Sequence, residues 1–263
     1  MFISLGQFEA VVFDLLYTLV HPGEFPGGGD RITWLAALLG IDERAVQFRW
    51  DAFEPLLESG RAPAARALGP ELTWLTQMAA DLGRPMGPEI LAAVERDRDV
   101  TRRRALFEPP AETLDTLSTL RSEGVKIGVL SNTHVLELRS WPESPLSDLV
   151  DGVALSHEIG AVKPFQAAYD AVLERIGVPA GAAAYVGDGN NDELVGARQA
   201  GFALIVLAAE APMRFSPDRL PVLRAQADVV LSTLGELPAA LMDVSIRCSG
   251  GVAGSQPHLR SGS

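Results

Sequence analysis

Cysteine, lysine and aromatic residues are all scarce in this sequence of 263 residues. The single cysteine, Cys248, excludes a disulfide framework and a zinc site built from cysteines. Basic residues number 22 against 34 acidic ones, and the net charge of -12 argues against binding to nucleic acid or to an anionic membrane, because both depend on clustered Lys and Arg. No apolar run approaches the ~20 residues of a membrane span, and residues 1–6 lack the features of a secretory signal. A reducing cytoplasm is the expected location.

Apolar segments that alternate with helical patterns dominate the second half of the chain. Such alternation is typical of a parallel α/β sheet whose two faces are covered by helices. The predicted strands are 10–13, 126–130, 152–155, 183–186, 203–207 and 228–231. The predicted helices between and after them are 111–123, 134–139, 165–176, 191–200 and 234–242.

A helical insert interrupts this pattern after the first strand. The Gly- and Pro-rich stretch 21–29 favours a flexible connection, and helical patterns without a convincing strand follow at 31–39, 42–58, 71–82 and 88–104. The basic run 101–104 is interpreted mainly as a solvated helix end, where cations suit the helix dipole, with a role near an anionic substrate as the alternative. We therefore predict an α/β core of residues 1–22 and 105–244, a helical insert of residues 23–104, and a disordered tail rich in Ser and Gly at 245–263.

Polar side chains follow four of the apolar segments in the predicted core. They are Asp14 with Thr18, Ser131 with Asn132, Lys163, and Asp188 with Asp192. Because the carboxyl ends of parallel strands meet at one edge of a sheet, these groups are expected to converge there. A nucleophile, a hydroxyl, a cation and a second acidic group in one place make up a candidate catalytic site. Lys163 is conspicuous because the chain has only one other lysine, Lys126.

Four stretches of the sequence resemble, in order, the four motifs of the haloacid dehalogenase-like (HAD) hydrolase superfamily. They are FDLLYTL, VLSNT, AVKP and YVGDGNNDELVGARQAG, of which the last is the most specific. The resemblance covers the α/β core and implies a Rossmann-like parallel sheet. It also implies that the helical insert is the cap that many members carry between the first and second motifs.

The resemblance assigns catalytic roles to three residues. It implies that Asp14 is the nucleophile of a reaction that passes through a covalent aspartyl intermediate. Ser131 and Lys163 are then the groups that bind the phosphoryl oxygens and offset their charge. The substrate is expected to be a small phosphorylated metabolite. Thr18, Asn132 and Tyr17 are further candidates for contact with it, and Tyr17 stands where a glycine is common in the family.

Carboxylates gathered at one edge of a sheet raise the question of a cation. They repel one another unless a cation lies among them, and ligands that are all oxygen suit Mg²⁺. By resemblance to the phosphatases of the family, the ion is expected on Asp14, on the backbone carbonyl of Leu16 and on Asp188. Asp192 is expected to contribute through a water molecule or to orient a ligand.

Leu16 departs from the family pattern in a way that bears on the chemistry. The phosphatases carry a second Asp at this position, which protonates the leaving oxygen and later activates water. General acid-base help of this kind is worth about 10²–10⁴ in rate. We therefore expect poor hydrolysis of ordinary alkyl phosphates, and either a leaving group that needs little protonation or an acid from the insert. The sequence does not rank the candidate acids, which are His21, Glu24, Asp51 and Glu54.

Two other functions remain open at this point. A 2-haloacid dehalogenase also lacks the second Asp, since halide leaves without a proton, and Arg49 stands at a plausible distance to receive the halide. Gly187 and Asp188 argue against it, because dehalogenases carry Ser and Asn in the fourth motif and need no metal. The second alternative is a HAD fold reused for a non-hydrolytic biosynthetic or binding role. The substrate and the oligomeric state are not determined by the sequence.

Overall fold

A six-stranded parallel sheet forms the centre of the protein. The computed structural model describes residues 8–21, 30–59, 61, 70–133 and 138–250. The strands are β1 (Ala10–Phe13), β2 (Lys126–Ser131), β3 (Gly152–Leu155), β4 (Ala183–Gly187), β5 (Leu204–Ala208) and β6 (Val229–Leu231). They lie in the order β3-β2-β1-β4-β5-β6, and neighbouring strands pair in parallel throughout. The predicted Rossmann-like α/β sheet is confirmed, with strand ends within one residue of the predicted ones.

Helices lie on both faces of the sheet and in the segment that follows β1. The first four are α1 (Arg31–Leu39), α2 (Glu43–Glu58), α3 (Pro70–Asp81) and α4 (Pro88–Phe107). The remaining helices are α5 (Ala111–Ser122), α6 (Ser156–Ile159), α7 (Gln166–Ile176), α8 (Glu193–Gln199), α9 (Glu210–Phe215), α10 (Leu220–Gln226) and α11 (Leu237–Gly250). No helix of the described ranges is both long and apolar enough to cross a membrane.

The central strand β1 is buried on both faces, which explains its unbroken apolar sequence. Val11 and Phe13 belong to one hydrophobic cluster, and Ala10 and Val12 belong to the cluster on the opposite face. This division follows from the alternation of side chains along a strand. The strand order reverses between β1 and β4, so the residues that follow these two strands lie at the switch point of the sheet, where ligands of open α/β folds bind.

Helices α1 to α4 pack around a hydrophobic cluster of their own. Trp34, Trp50, Leu75 and Met78 are buried in this cluster. The first of these helices has clear end signals: Asp30 accepts hydrogen bonds from two backbone amides of its first turn, and Gly40 ends it in the left-handed conformation. Within the described residues, the segment predicted to be a helical insert therefore contributes four helices that share an apolar cluster separate from those of the sheet.

Two differences from the sequence predictions have physical reasons. Helix α11 extends to Gly250, so the first residues of the tail predicted to be disordered are helical, with Ser245 buried and its hydroxyl bonded to the carbonyl of Leu241. Residues 251–263 and part of the predicted helix 134–139 lie outside the described residues. Helices α9 and α10 were not predicted, because elements of six and seven residues are too short to show a periodic pattern.

Candidate active site

Asp14 lies directly after β1, and neighbouring groups fix its carboxylate. Its backbone amide donates to the carbonyl of Val186 at 2.9 Å, which continues the pairing of β1 with β4. One carboxylate oxygen, Oδ1, accepts a hydrogen bond from Lys163 Nζ, and the other accepts one from the Thr18 hydroxyl at 3.2 Å. A carboxylate oxygen has two acceptor sites, so each oxygen of Asp14 keeps one site for a further partner.

Lys163 joins two buried carboxylates. Its Nζ pairs with Asp14 Oδ1 and lies 2.6 Å from Glu193 Oε2, and its side chain is almost completely buried. Burial alone would lower the pKa of Lys163, but the two carboxylates outweigh burial and raise it, so the ammonium group is charged. The charged ammonium group of Lys163 therefore offsets the repulsion between the carboxylates of Asp14 and Glu193.

Asn132 positions Lys163 through the backbone. Its Nδ2 donates to the carbonyl oxygen of Lys163 at 3.2 Å, and its Oδ1 accepts from the Lys163 amide at 2.9 Å. These two bonds use both ends of the side-chain amide. Asn132 also lines the pocket, and its bonds to the Lys163 backbone fix the loop that carries the lysine.

Glu193 is a buried member of the site that the sequence analysis did not identify. Its Oε2 accepts from Tyr185 at 2.7 Å in addition to Lys163, and its Oε1 accepts from the Gly189 amide at 2.9 Å. Asp192, which was predicted from the motif spacing, is exposed and has a positive φ of 52°. The left-handed conformations of Asn191 and Asp192 turn the chain so that the first residue of α8 faces the site instead.

Three buried carboxylates converge at this edge of the sheet. Oxygen atoms of Asp14, Asp188 and Glu193 lie within 4.8 Å of one another. Burial raises the pKa of Asp14 to about 6 although Lys163 opposes it, and burial with the nearby Glu193 and Asp14 raises the pKa of Asp188 to about 8. Such crowded carboxylates are the donor set that a hard divalent cation prefers. The residues present therefore fit Mg²⁺.

A cavity of about 990 Å³ opens above this cluster. The core residues Asp14, Leu16, Tyr17, Ser131, Lys163, Asp188 and Glu193 and the insert residues Arg31, Trp50, Glu54 and Arg102 are among those that line it. Ser131 is the last residue of β2 and is buried, so its position at the pocket floor agrees with the prediction. The cavity thus joins the predicted catalytic residues to side chains of α1, α2 and α4.

Arg49 does not reach this cavity, contrary to the role considered for it. It forms an ion pair with Asp81 at 3.5 Å and is absent from the pocket lining. Arg102, from the run interpreted as a solvated helix end, is instead buried and lines the pocket. The positions of both arginines follow from the rotation of their helices, which the sequence pattern did not resolve.

The four candidate acids differ in whether they reach the cavity. His21 and Glu54 line the cavity, whereas Asp51 does not. Glu24 lies outside the described residues. Glu54 is already paired with Arg31 at 3.1 Å, and His21 Nε2 lies 3.7 Å from a carboxylate oxygen of Glu210.

Gly196 is required where α8 packs against the loop that carries Lys163. A Cβ atom at this position would lie 2.5 Å from the Tyr169 hydroxyl and 2.7 Å from the carbonyl oxygen of Pro164. We expect Gly196→Ala to lower the free energy of unfolding by about 1–3 kcal/mol, because the overpacked helix must move. Urea denaturation measures this loss. Gly181→Ala is the matched control, since its Cβ would meet no atom within 4 Å, and equal stability of the two variants would contradict the prediction.

A family model assigns the chain. The model of the haloacid dehalogenase-like hydrolases matches residues 8–201, which include Asp14, Lys163 and the other two members of the acidic cluster. The chain belongs to this family. The resemblance noted in the sequence is thereby confirmed, and the protein is a HAD-like hydrolase.

Similar proteins of the HAD family include both phosphatases and dehalogenases. A glyceraldehyde 3-phosphate phosphatase of Methanothermobacter thermautotrophicus is 30% identical over 109 residues, which are 40% of this chain and 47% of the relative. The chain spans about half the length of the curated relatives it matches. Among solved structures, a 2-haloacid dehalogenase from Pseudomonas syringae pv. Tomato DC3000 aligns with a TM-score of 0.57 and 24% identity, over 90% of this chain and 99% of that chain. A HAD phosphatase from Thermococcus onnurineus aligns with a TM-score of 0.54 and 21% identity, over 89% and 98%. These two structures share the fold with this chain.

Proposed function

We propose that this HAD-family hydrolase is a Mg²⁺-dependent phosphohydrolase or phosphotransferase that acts through an aspartyl intermediate. The observation that carries the proposal is the fixed carboxylate of Asp14 at the floor of the cavity, held between Lys163 and Thr18. A buried nucleophile beside a charged lysine suits attack on an anionic phosphoryl group, because the lysine offsets the repulsion between the two.

The reaction divides into two displacements at phosphorus. An oxygen of Asp14 bonds to phosphorus while the bond to the leaving oxygen breaks, and the leaving group takes that electron pair. Water, or an acceptor alcohol, then forms a bond to phosphorus while the bond from phosphorus to the Asp14 oxygen breaks. The attacking group gives its proton to solvent water, and phosphate or a new ester is released. Lys163 and the Ser131 hydroxyl bind the phosphoryl oxygens throughout, and Thr18 holds the orientation of the nucleophile.

Asp14, Asp188 and Glu193 are the side chains that would hold the cation. Their oxygens are close enough to share one ion, and all three side chains are buried. When bound, Mg²⁺ would offset the negative charge of the phosphoryl group and of these carboxylates. The Leu16 carbonyl remains a proposed ligand from the family pattern. Asp192 is exposed, so any role for it would be through water, and Glu193 is the better candidate.

The substrate is proposed to be a small phosphorylated metabolite with a weakly basic leaving group. Leu16 lines the cavity where an acid would otherwise stand, and its side chain can supply no proton. The name of the archaeal relative, a glyceraldehyde 3-phosphate phosphatase, supports a small phosphate ester. We propose that residues 23–104 act as the cap that selects it, and that the protein works in the cytoplasm, in keeping with its single cysteine.

A panel of substrates tests the proposal directly. Phosphate release is measured for acyl, aryl and sugar phosphates and for diphosphates, with Mg²⁺ and again with EDTA. We expect release that depends on Mg²⁺ and is fastest for acyl and aryl phosphates. Halide release from 2-chloropropionate in EDTA would instead identify a dehalogenase, whose expected Arg49 does not line the cavity. Metal binding without turnover of any substrate would identify a binding protein.

Leu16→Asp tests the explanation of the missing acid. The new carboxyl group would stand where it can protonate a leaving alkoxide, so we expect kcat for sugar phosphates to rise by about 10²-fold, the lower end of the range for general acid catalysis. Turnover of acyl phosphates should change little, because carboxylate leaves without a proton. Leu16→Asn is the matched control, similar in shape but without a titratable proton. An equal effect of the two substitutions would show that the missing acid does not limit the reaction.

A further inference from the structure

Tyr17 has a backbone conformation that a residue with a side chain adopts at a cost. Its φ is +68°, in the left-handed region that favours glycine. The turn itself is well defined, since the Tyr17 amide donates to the carbonyl of Val20 at 2.7 Å. A bulky ring at such a position, beside the nucleophile, indicates that the side chain has a use.

The ring of Tyr17 faces Phe215 at the rim of the cavity. The two ring centroids are 5.9 Å apart and the planes meet at 71°, an edge-to-face arrangement. Both side chains line the cavity, and both are accessible, with 37% of Tyr17 and 59% of Phe215 exposed. Two aromatic rings from separate parts of the chain thus form one apolar surface that is open to a ligand. We refer to Tyr17 and Phe215 as the aromatic rim.

Two arginine side chains lie close to the aromatic rim. The Arg214 guanidinium lies 5.0 Å from the centre of the Phe215 ring. Arg219 also lines the cavity, where it donates to Asn190 Oδ1 at 2.8 Å and to the carbonyl oxygen of Gly189 at 3.1 Å. Neither of these two acceptors is a carboxylate. The surroundings therefore favour a ligand that is planar and electron-rich.

We propose that the aromatic rim binds the planar, aromatic part of the substrate, so that the preferred substrates are phosphates of phenols or of aromatic carboxylic acids. This inference rests on the proposed phosphohydrolase function and extends it to a substrate class. A second feature of the site points to the same class: Leu16 provides no proton, and aryl oxides and aromatic carboxylates leave without one. The aromatic rim and the absence of an acid at Leu16 thus favour the same class of substrate.

Equilibrium binding tests the aromatic rim without turnover. Phosphonates carry a C–P bond that the proposed reaction does not break, so we use the wild-type protein and measure by calorimetry, with Mg²⁺ present, the affinities for phenylphosphonate and for cyclohexylphosphonate, which differ in the planarity of the ring. We expect phenylphosphonate to bind about three- to tenfold more tightly, the range that an aromatic contact provides. This preference should disappear when Tyr17→Gly or Phe215→Ala is added. Equal affinities, or no binding of either compound, would overturn the proposal.

The variants are chosen so that misfolding does not decide the result. Glycine adopts the φ of Tyr17 without strain, so Tyr17→Gly should fold at least as well as the parent. Phe215→Ala removes an exposed ring and is a second route to the same answer. Phe48→Ala is the control, because Phe48 is 78% exposed on α2 and does not line the cavity. A loss of preference in this control would overturn the assignment to the rim.

Measurements of turnover distinguish a failure of the aromatic rim from a failure of the proposed function. Benzoyl phosphate and cyclohexanecarbonyl phosphate have leaving carboxylates of similar basicity, so their kcat values should be similar. Benzoyl phosphate should have the lower KM, because its ring is planar and can contact the aromatic rim. Tyr17→Gly should remove the difference in KM. If acetyl phosphate is hydrolysed but the two ring compounds have equal KM, the aromatic rim is wrong and the proposed function stands. If no acyl phosphate is hydrolysed but phenylphosphonate binds preferentially, the proposed function fails and the rim stands.

Discussion

Asp14→Asn is expected to lower kcat for phosphate release by at least about 10³-fold, the scale on which covalent catalysis suffers when its nucleophile is removed. The amide of Asn can still accept a hydrogen bond from Thr18, but it cannot take up a phosphoryl group to form the intermediate. Rapid acid quenching with ³²P-labelled acyl phosphate should trap label on the wild-type protein and none on the variant. Steady-state phosphate release supplies the second measurement.

The thermal stability of the Asp14→Asn variant shows whether its loss of activity comes from the missing nucleophile or from misfolding. Burial raises the pKa of Asp14 to about 6, so the buried carboxylate is costly to ionise and a neutral amide should be tolerated. We expect the variant to unfold at the same temperature as the wild type or at a higher one. A folded variant that retains more than a tenth of the wild-type rate would contradict the aspartyl mechanism.

Lys163→Met should be the most destabilising of the substitutions considered for the site. The methionine has a similar length but leaves Asp14 and Glu193 buried without their shared counter-charge. Removal of one partner from a buried ion pair costs about 3–5 kcal/mol. Chemical denaturation in EDTA should show this loss, and phosphate release should fall as well because the phosphoryl group loses its cationic partner.

The other lysine of the chain provides the matched control. Lys126 begins β2, and its Nζ donates to the carbonyl of Ile176 at 2.7 Å at an exposed position. Lys126→Met removes the same charge without stranding a buried carboxylate, so a loss below about 1 kcal/mol is expected. If both lysine variants lose the same stability, the charge of Lys163 is not what balances the acidic cluster.

Much of the core could be predicted because its signals are local. The β1 segment is apolar at every position since both of its faces are covered, and Asp14 ends that run at the edge where ligands bind. Lys163 was identifiable as one of two lysines, followed by a proline and placed between two predicted strands. The helices of the insert were legible from capping residues such as Asp30 and Gly40.

The features that were missed depend on geometry that a pattern does not contain. Whether Asp192 or Glu193 faces the site is decided by two consecutive left-handed residues, and the sequence pattern pointed only to Asp192. On α4 the phase of the helix turns Arg102 inward, while Arg103 and Arg104 form exposed pairs with acidic residues. The aromatic rim could not be predicted from the sequence, because α9, which carries one of its rings, is too short to show a periodic pattern.

The position of β1 in the sheet has a consequence for synthesis on the ribosome. Its two neighbours begin at Lys126 and Ala183, so β1 is made well before either of the strands that pair with it. At about 5–20 residues per second, an interval on the order of 10–30 s passes before the second neighbour has been made. Until β2 has been made, this apolar strand has both edges unpaired, and one edge stays unpaired until β4 follows, which favours aggregation and binding by chaperones. Slower translation of the helical segment should therefore reduce the yield of native protein even though it changes no contact of the finished fold.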